Sequence, residues 1–165
     1  GRVAAVLAGP PCETWSAVRF RKILDAAASN IKHPPRPVRS REQPWGLSYL
    51  SQKEYDQIDI GNQLLRVTIL FIYASITYHI PAIMEHPSTV NDQRRAPSAW
   101  LLPELLHIQN LPMVTMVHFD QCMLGQISTK PTTLLCVHAE HTATLISQVP
   151  NNCRCNHPPG HTNTR

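Results

Sequence analysis

The sequence is short of glycine and of charged residues, and its cysteines are odd in number. Six glycines in 165 residues exclude a collagen-like chain, and a charged fraction of 16%, against a usual value of about 25%, argues against coiled coils and highly charged disordered chains. Five cysteines cannot all pair with one another, and no signal peptide precedes the first turn. These features predict one globular domain in a reducing, intracellular compartment.

Proline and local positive charge are in excess. Fifteen prolines make up about 9% of the chain, and the net charge is +4. Seven Lys and Arg residues lie between Arg19 and Arg41, where Asp25 is the one acid. Such a segment favours a polyanion partner such as nucleic acid, but a solvated loop has the same composition, and both interpretations stay open.

The apolar pattern predicts an α/β fold. The continuous run Val3–Ala8 is typical of a strand buried on both faces, and it ends at Gly9-Pro10-Pro11. A basic, proline-rich loop over 29–54 interrupts a domain of residues 1–149, and a Cys/His/Pro-rich tail follows at 150–165. The remaining elements are predicted as helices at 14–28, 55–78, 98–109 and 139–149 and strands at 82–85, 112–119 and 132–137.

The order of these elements predicts an open sheet of parallel strands with an antiparallel strand pair at its C-terminal end. The apolar run over 64–83 is marginal as a membrane span because it contains Arg66 and His79. We therefore expect a buried helix that leads into a strand, and no membrane partner.

Cys12 occupies a position that is typical of an active site. The Gly9-Pro10-Pro11-Cys12 turn follows a strand and precedes a helix, and ligands of open α/β sheets bind beyond the carboxyl ends of strands. A helix N-terminus lowers the pKa of a thiol, which predicts a nucleophile. The alternative is a small, buried, inert cysteine.

The segment Gly9-Pro10-Pro11-Cys12-Glu13-Thr14-Trp15-Ser16 resembles the catalytic loop of DNA cytosine-5 methyltransferases. That family usually has Gln where Glu13 stands and Phe where Trp15 stands. The resemblance implies a partial Rossmann-like methyltransferase sheet, with Cys12 as the nucleophile that adds to carbon 6 of cytosine. It also implies that three neighbours of Cys12 bind substrate: Pro10, Pro11 and Ser16.

A second segment, Ile83-Met84-Glu85-His86-Pro87, is similar to the Glu-Asn-Val or Glu-Asn-Pro segment of that family, with His86 in place of Asn. The resemblance implies that Glu85 engages the target cytosine. Attack on carbon 6 moves negative charge toward ring nitrogen N3, and a carboxylic acid that shares a proton there stabilises the adduct. For that role, burial must raise the pKa of Glu85.

A third segment runs from Phe119 to Gly125 and continues at Lys130-Pro131-Thr132. It resembles the family's turn and Gln-x-Arg-x-Arg run, whose three named residues align with Ser128, Lys130 and Thr132. Only the positive charge at Lys130 is retained. The resemblance therefore implies that Lys130 is a supporting cation in the substrate site.

The resemblance further implies DNA as the partner, S-adenosylmethionine as the methyl donor, and a nuclear location in a eukaryote. Near the flipped base, the basic loop would contact phosphates, and Trp45 or Tyr49 would brace the vacated stack. The family's glycine-rich cofactor loop and acidic ribose partner precede the Pro-Cys loop, and this chain begins at Gly1 on a strand. We therefore expect a divergent fragment of a longer enzyme, inactive alone because its cofactor site is largely missing.

The C-terminal region predicts a second chemistry. Cys136-x-His138-x-x-His141 precedes a cluster of possible zinc ligands. With the departures from the family pattern at Glu13, His86, Ser128 and Thr132, this cluster favours an alternative: a noncatalytic nucleic-acid-binding remnant of a mobile or viral element with a zinc-stabilised tail. The predicted ligands are Cys153, Cys155, His157 and His161.

Overall fold

The computed structural model describes residues 2–20, 36–89, 96–126 and 130–149, and it is an α/β fold. Short 3₁₀ turns lie at Glu13–Trp15, Ala17–Phe20, Ala99–Leu101 and Gln121–Leu124. The described strands are β1 (Val6–Ala8), β2 (Ala82–Pro87), β3 (Val114–Asp120) and β4 (Pro131–Val137), and the described α-helices are α1 (Gln52–Thr77), α2 (Pro103–Gln109) and α3 (Glu140–Ser147).

The four described strands form one mixed sheet in the order β1-β2-β4-β3. β1 pairs with β2 in parallel, and β4 is antiparallel to both β2 and β3. The α/β class, the parallel pair and the antiparallel pairing of the last two strands confirm those parts of the prediction. β4 is inserted between β2 and β3 and is buried along almost all its length, so it forms the centre of the sheet.

Helices cover both faces of the sheet. On one face α1 and α2 pack against alternate strand residues, including Met84 and Leu135. On the other face α3 places Ala143 against Val117 and Cys136. This three-layer arrangement follows from the alternation of side chains along each strand.

Helix α1 confirms the strongest helix prediction. It begins after Ser51, whose backbone N–H donates to Glu54 Oε2 at 2.9 Å, and this contact is half of a capping box. It ends with His79 in the left-handed region (φ 53°) and an Ile80 N–H to Ser75 O hydrogen bond of 2.9 Å. Pro81 follows and prevents continuation.

The predicted deep burial of α1 is confirmed for one face only. Ile58, Leu65 and Ile72 are buried, whereas Leu70 and Phe71 are 67% and 56% exposed. Among the described residues α1 is the one helix whose length and apolar composition would also suit a membrane span, a property that core helices share. The prediction that the protein has no membrane partner stays a prediction.

The prediction for β1 was wrong in one respect. The strand has three residues, and within the described chain only β2 pairs with it, so it lies at the edge of the sheet. Val3 and Leu7 are 63% and 79% exposed because no described element covers that side. An apolar run specifies a strand, but its burial depends on what packs against it.

The predicted helix over 14–28 begins instead as the two short 3₁₀ turns, and residues 21–28 lie outside the described part. The described part of the basic loop, 36–51, is irregular, as predicted, and α1 begins directly after it. The tail at 150–165 lies outside the described residues, so its predicted zinc ligands, Cys153, Cys155, His157 and His161, stay a prediction. The same applies to Ser128.

Candidate active site at the ends of β1 and β2

The Gly9–Cys12 loop and Glu85 meet at one edge of the sheet. Ala8 pairs with Met84 in the parallel register, so the next residues along the two strands, Gly9 and Glu85, lie side by side. A Cβ added at Gly9 would lie 3.8 Å from Glu85 Oε2. The two segments predicted to carry the chemistry are therefore neighbours in space.

Two donors from the β3–β4 connection contact Glu85. Lys130 Nζ lies 3.3 Å from Glu85 Oε1, and Gln121 Nε2 lies 3.4 Å from the same atom. Both distances are long for charge-assisted hydrogen bonds, and the Lys130 and Glu85 side chains are each about one-third exposed. The carboxylate is held loosely, at a position that a ligand can reach.

The Cys12 thiol is half-buried, and burial raises its pKa. Lys130 acts in the opposite direction, while the negative charge of Glu85 raises the pKa further. The prediction that a helix N-terminus lowers this pKa was wrong, because Cys12 caps a 3₁₀ turn of only three residues, Glu13–Trp15. At neutral pH the resting group is therefore the thiol.

The other predicted substrate residues lie on the same loop. Pro10 is buried, Pro11 is exposed, and Ser16 follows the Glu13–Trp15 turn as its half-buried C-cap. The two proline rings fix the backbone φ of the loop and so limit the positions that Cys12 can adopt.

Pro10 and Pro11 also line a groove of about 550 Å³ between β1 and the outer face of α1. The lining side chains from α1 are Leu64, Val67, Thr68 and Phe71, and none of the described residues that line the groove is charged. S-adenosylmethionine carries a sulfonium cation and a ribose, which need acidic and polar partners. The described residues beside β1 therefore do not fit this cofactor as a whole.

Behind the site, His86 lies in a tryptophan cluster formed by Trp15, Trp45 and Trp100. The His86 ring makes edge contacts with Trp15 and Trp100 at centroid distances of 6.1 and 6.0 Å. Both its ring nitrogens are buried and without a hydrogen-bond partner. Burial, with smaller contributions from the positive charges of Lys130 and Arg39, lowers its pKa to about 4, so His86 is neutral.

Arg39 is fully buried against the same cluster. Its guanidinium lies 4.2 Å from the centre of the Trp15 ring and donates to Thr14 Oγ1 at 2.9 Å and to Asn62 Oδ1 at 2.7 Å. Burial lowers its pKa to about 10, which leaves the group charged at neutral pH. Arg39 therefore attaches the basic loop to α1.

These contacts correct the expected roles of the basic loop. Arg39 is inaccessible to phosphate, and Trp45 packs against Trp15 and under Arg66. Arg36 makes two 2.7 Å hydrogen bonds to Glu54. Tyr49 is 66% exposed, so of the two aromatic residues predicted to face DNA only Tyr49 stands free of the core.

The structure also separates one predicted metal pattern. Cys136 is buried in β4 on the side of α3, whereas His138 follows the strand and its ring lies beside that of His79 in a tilted arrangement. Within the described ranges no group of three or more His, Cys, Asp and Glu side chains converges on a metal position.

Gln121 is a candidate site residue that sequence reasoning missed. The alignment with the family's Gln-x-Arg-x-Arg run gives the glutamine role to Ser128 instead. Gln121 N–H donates to Lys130 O at 3.1 Å, so the ladder between β3 and β4 brings Gln121 and Lys130 together. A signal was available in the antiparallel pairing, which places the two ends of a strand connection side by side.

In comparisons with known proteins, no family model, no curated protein and no solved structure matches this chain. The resemblance to DNA cytosine-5 methyltransferases therefore depends on its three segments and on the geometry described above.

Proposed function

We propose that this chain is the base-attacking part of a divergent DNA cytosine-5 methyltransferase, built on a partial Rossmann-like sheet. Cys12 adds to carbon 6 of a cytosine, and Glu85 binds the ring at N3. The observation that carries the proposal is the convergence of the Gly9–Cys12 loop, Glu85 and Lys130 at the carboxyl ends of two parallel strands.

The chemistry of addition requires three groups, and the site offers each. The Cys12 sulfur, after loss of its proton, forms a bond to carbon 6, and the electron pair of the 5,6 double bond moves toward N3 and O2 of the ring. The proton that Cys12 loses passes through water to Glu85, which shares it with N3, and Lys130 offsets the negative charge. Carbon 5 then carries enough electron density to take a proton or another electrophile.

The pKa of Cys12 is raised, and burial is the largest cause. The thiolate is therefore a minor species at neutral pH. Addition should therefore be slow at pH 7 and should accelerate through pH 9, since the pKa of this thiol lies above its ordinary value of 9.0. A base bound over Glu85 and Lys130 would alter this balance by neutralising or displacing the carboxylate charge.

Exchange of the hydrogen on carbon 5 tests the proposal without a methyl donor. In D₂O the Cys12 adduct takes a deuteron at carbon 5, and elimination of the thiolate with loss of the original proton leaves deuterated cytosine. Mass spectrometry of cytosine from mismatched or single-stranded DNA measures the label. We expect label with the unmodified chain and a loss of at least tenfold with Cys12→Ser.

Cys136→Ala is the matched control, because Cys136 is buried in β4 on the side of α3. It should exchange at the rate of the unmodified chain. Equal exchange by Cys12→Ser, or no exchange above the DNA-only background at pH 9, would contradict the proposal.

A second candidate function is nucleic-acid binding without catalysis, as in a remnant of a mobile or viral element. The raised pKa of Cys12 favours it, because a protonated thiol is a poor nucleophile. In that case Cys12→Ser should bind DNA with unchanged affinity and unchanged salt dependence, and zinc analysis should find one equivalent held by the tail cysteines 153 and 155.

A further inference from the structure

The side chains of His79 and His138 lie next to each other, although no sequence pattern links the two residues. His79 follows the C-cap of α1, and His138 follows β4, so 59 positions separate them along the chain. The two ring centroids are 5.1 Å apart, and the rings are tilted by 47°. The fold thus brings two imidazoles together at the end of the sheet opposite Cys12.

We propose that His79 and His138 bind one divalent transition-metal ion of the Zn²⁺ and Cu²⁺ class, with water completing the coordination. Imidazole is a preferred ligand of these ions. Two imidazoles on one tetrahedral ion, each with a metal–nitrogen bond of about 2.0–2.1 Å, place their ring centres about 5 Å apart. The observed centroid separation of 5.1 Å matches this spacing.

An unsatisfied nitrogen is the second observation. His138 Nε2 is buried and has no hydrogen-bond partner, which normally costs about 1–3 kcal/mol. The His138 backbone N–H donates to Met113 O at 3.1 Å, and this hydrogen bond holds the His138 backbone in place beside the ring of His79. A metal bond would give this nitrogen a partner.

The backbone supplies a third observation. Among the described residues, His79 and His138 are the two non-glycine residues with positive φ, at 53° and 47°. The left-handed region costs such residues about 1–2 kcal/mol, and glycine or asparagine usually fills it at a helix end. The presence of histidine rather than glycine at both positions favours a use for the rings.

The surroundings also suit a cation. His79 lies past the last turn of the 26-residue helix α1, where the helix dipole places a partial negative charge. Its side chain is exposed, so an ion from solvent can reach it, while His138 is half-buried.

The test is metal titration in a background that lacks the tail cysteines, Cys153→Ser with Cys155→Ser. Isothermal calorimetry with Zn²⁺ and Cu²⁺ should find one site. Adding His79→Gln should weaken it at least tenfold, whereas His107→Gln, an exposed histidine on α2, should leave it unchanged. In the electron paramagnetic resonance spectrum of bound Cu²⁺, the unmodified site should show nitrogen splitting from two imidazoles. The His79→Gln variant should show splitting from one.

His79→Gln is expected to fold because the side chain is exposed, and circular dichroism verifies this directly. His138→Gln gives an independent variant with the same expected loss. Unchanged affinity in both variants, or no binding in the background without the tail cysteines, would overturn the proposal. Its failure would leave the cytosine chemistry of Cys12 untouched, since that reaction is measured without metal.

Discussion

Glu85 and His86 are consecutive on β2, yet they lie in opposite environments. Glu85 is one-third exposed and makes contacts of 3.3 and 3.4 Å. His86 is enclosed in the tryptophan cluster of Trp15, Trp45 and Trp100. One face of the strand end is thus a loose polar site and the other a dense aromatic support.

The difference indicates how the candidate site is positioned. Trp15 belongs to the turn directly after Cys12, and its ring contacts both His86 and Arg39. The cluster therefore fixes the loop that carries the thiol. The contact between Glu85 and Lys130 is long enough for a bound ligand to replace it. Substitutions in the cluster should affect stability, and substitutions in the site should affect chemistry.

The largest effect is expected from Arg39→Ala. The change leaves Asn62 Oδ1 and Pro44 O without their donor and opens a cavity beside Trp15. We expect a loss of about 2–4 kcal/mol in the free energy of unfolding, measured by urea denaturation. Arg36→Ala, in the same loop but half-exposed, is the control and should have a marginal effect. Equal losses in the two variants would contradict the distinction between buried and exposed arginines.

Acid should destabilise the protein through His86. The pKa of this group falls from 6.5 to about 4 in the folded chain, so the unfolded state binds more protons between these values. Stability should fall as pH drops from about 6.5 to 4, by about 3 kcal/mol from this residue.

His86→Phe, which keeps the edge contacts with the tryptophans, should reduce that slope in a series of melting temperatures at different pH values. An unchanged slope would show that other groups carry the acid response, whatever the variant's absolute stability.

Glu85→Gln should separate reactivity from recognition. Removing the negative charge removes one contribution that raises the pKa of Cys12, so alkylation by iodoacetamide at pH 8 should become a few-fold faster. Deuterium exchange at cytosine carbon 5 should fall by about tenfold or more, because N3 loses its carboxyl partner. Glu104→Gln on α2 is the control, and parallel changes in both assays would contradict a binding role for Glu85.

The smallest effect is expected from Lys130→Ala. Lys130 opposes the rise that burial causes in the pKa of Cys12, so its loss should raise that pKa further. Alkylation at pH 8 should slow by a few-fold, and Lys130→Arg should restore the rate. Lys53→Ala, on the first turn of α1, should leave the rate unchanged. If Lys130→Ala is alkylated at the original rate, the charge of Lys130 does not affect the pKa of Cys12.

Local patterns predicted much of the fold. The long apolar period and the stop at Pro81 predicted α1 within a few residues, and the turn-rich segment before Pro131 predicted the pairing of β3 with β4. The site was predicted in part, because Cys12 and Glu85 each follow or end a strand and parallel strands end at the same edge. Gln121 was missed because its role depends on the ladder between two strands.

Sequence by itself determined the positions of α1, β2, β3 and β4 to within a few residues, since apolar spacing and proline act over short stretches of chain. It also put a cysteine and a glutamate at the ends of neighbouring parallel strands. Tertiary structure alone decided that β4 enters between β2 and β3, that Arg39 is buried under Trp15, that the pKa of Cys12 rises, and that His79 meets His138. The physical reason is that burial and charge act through space, between residues whose separation along the chain carries no local signal.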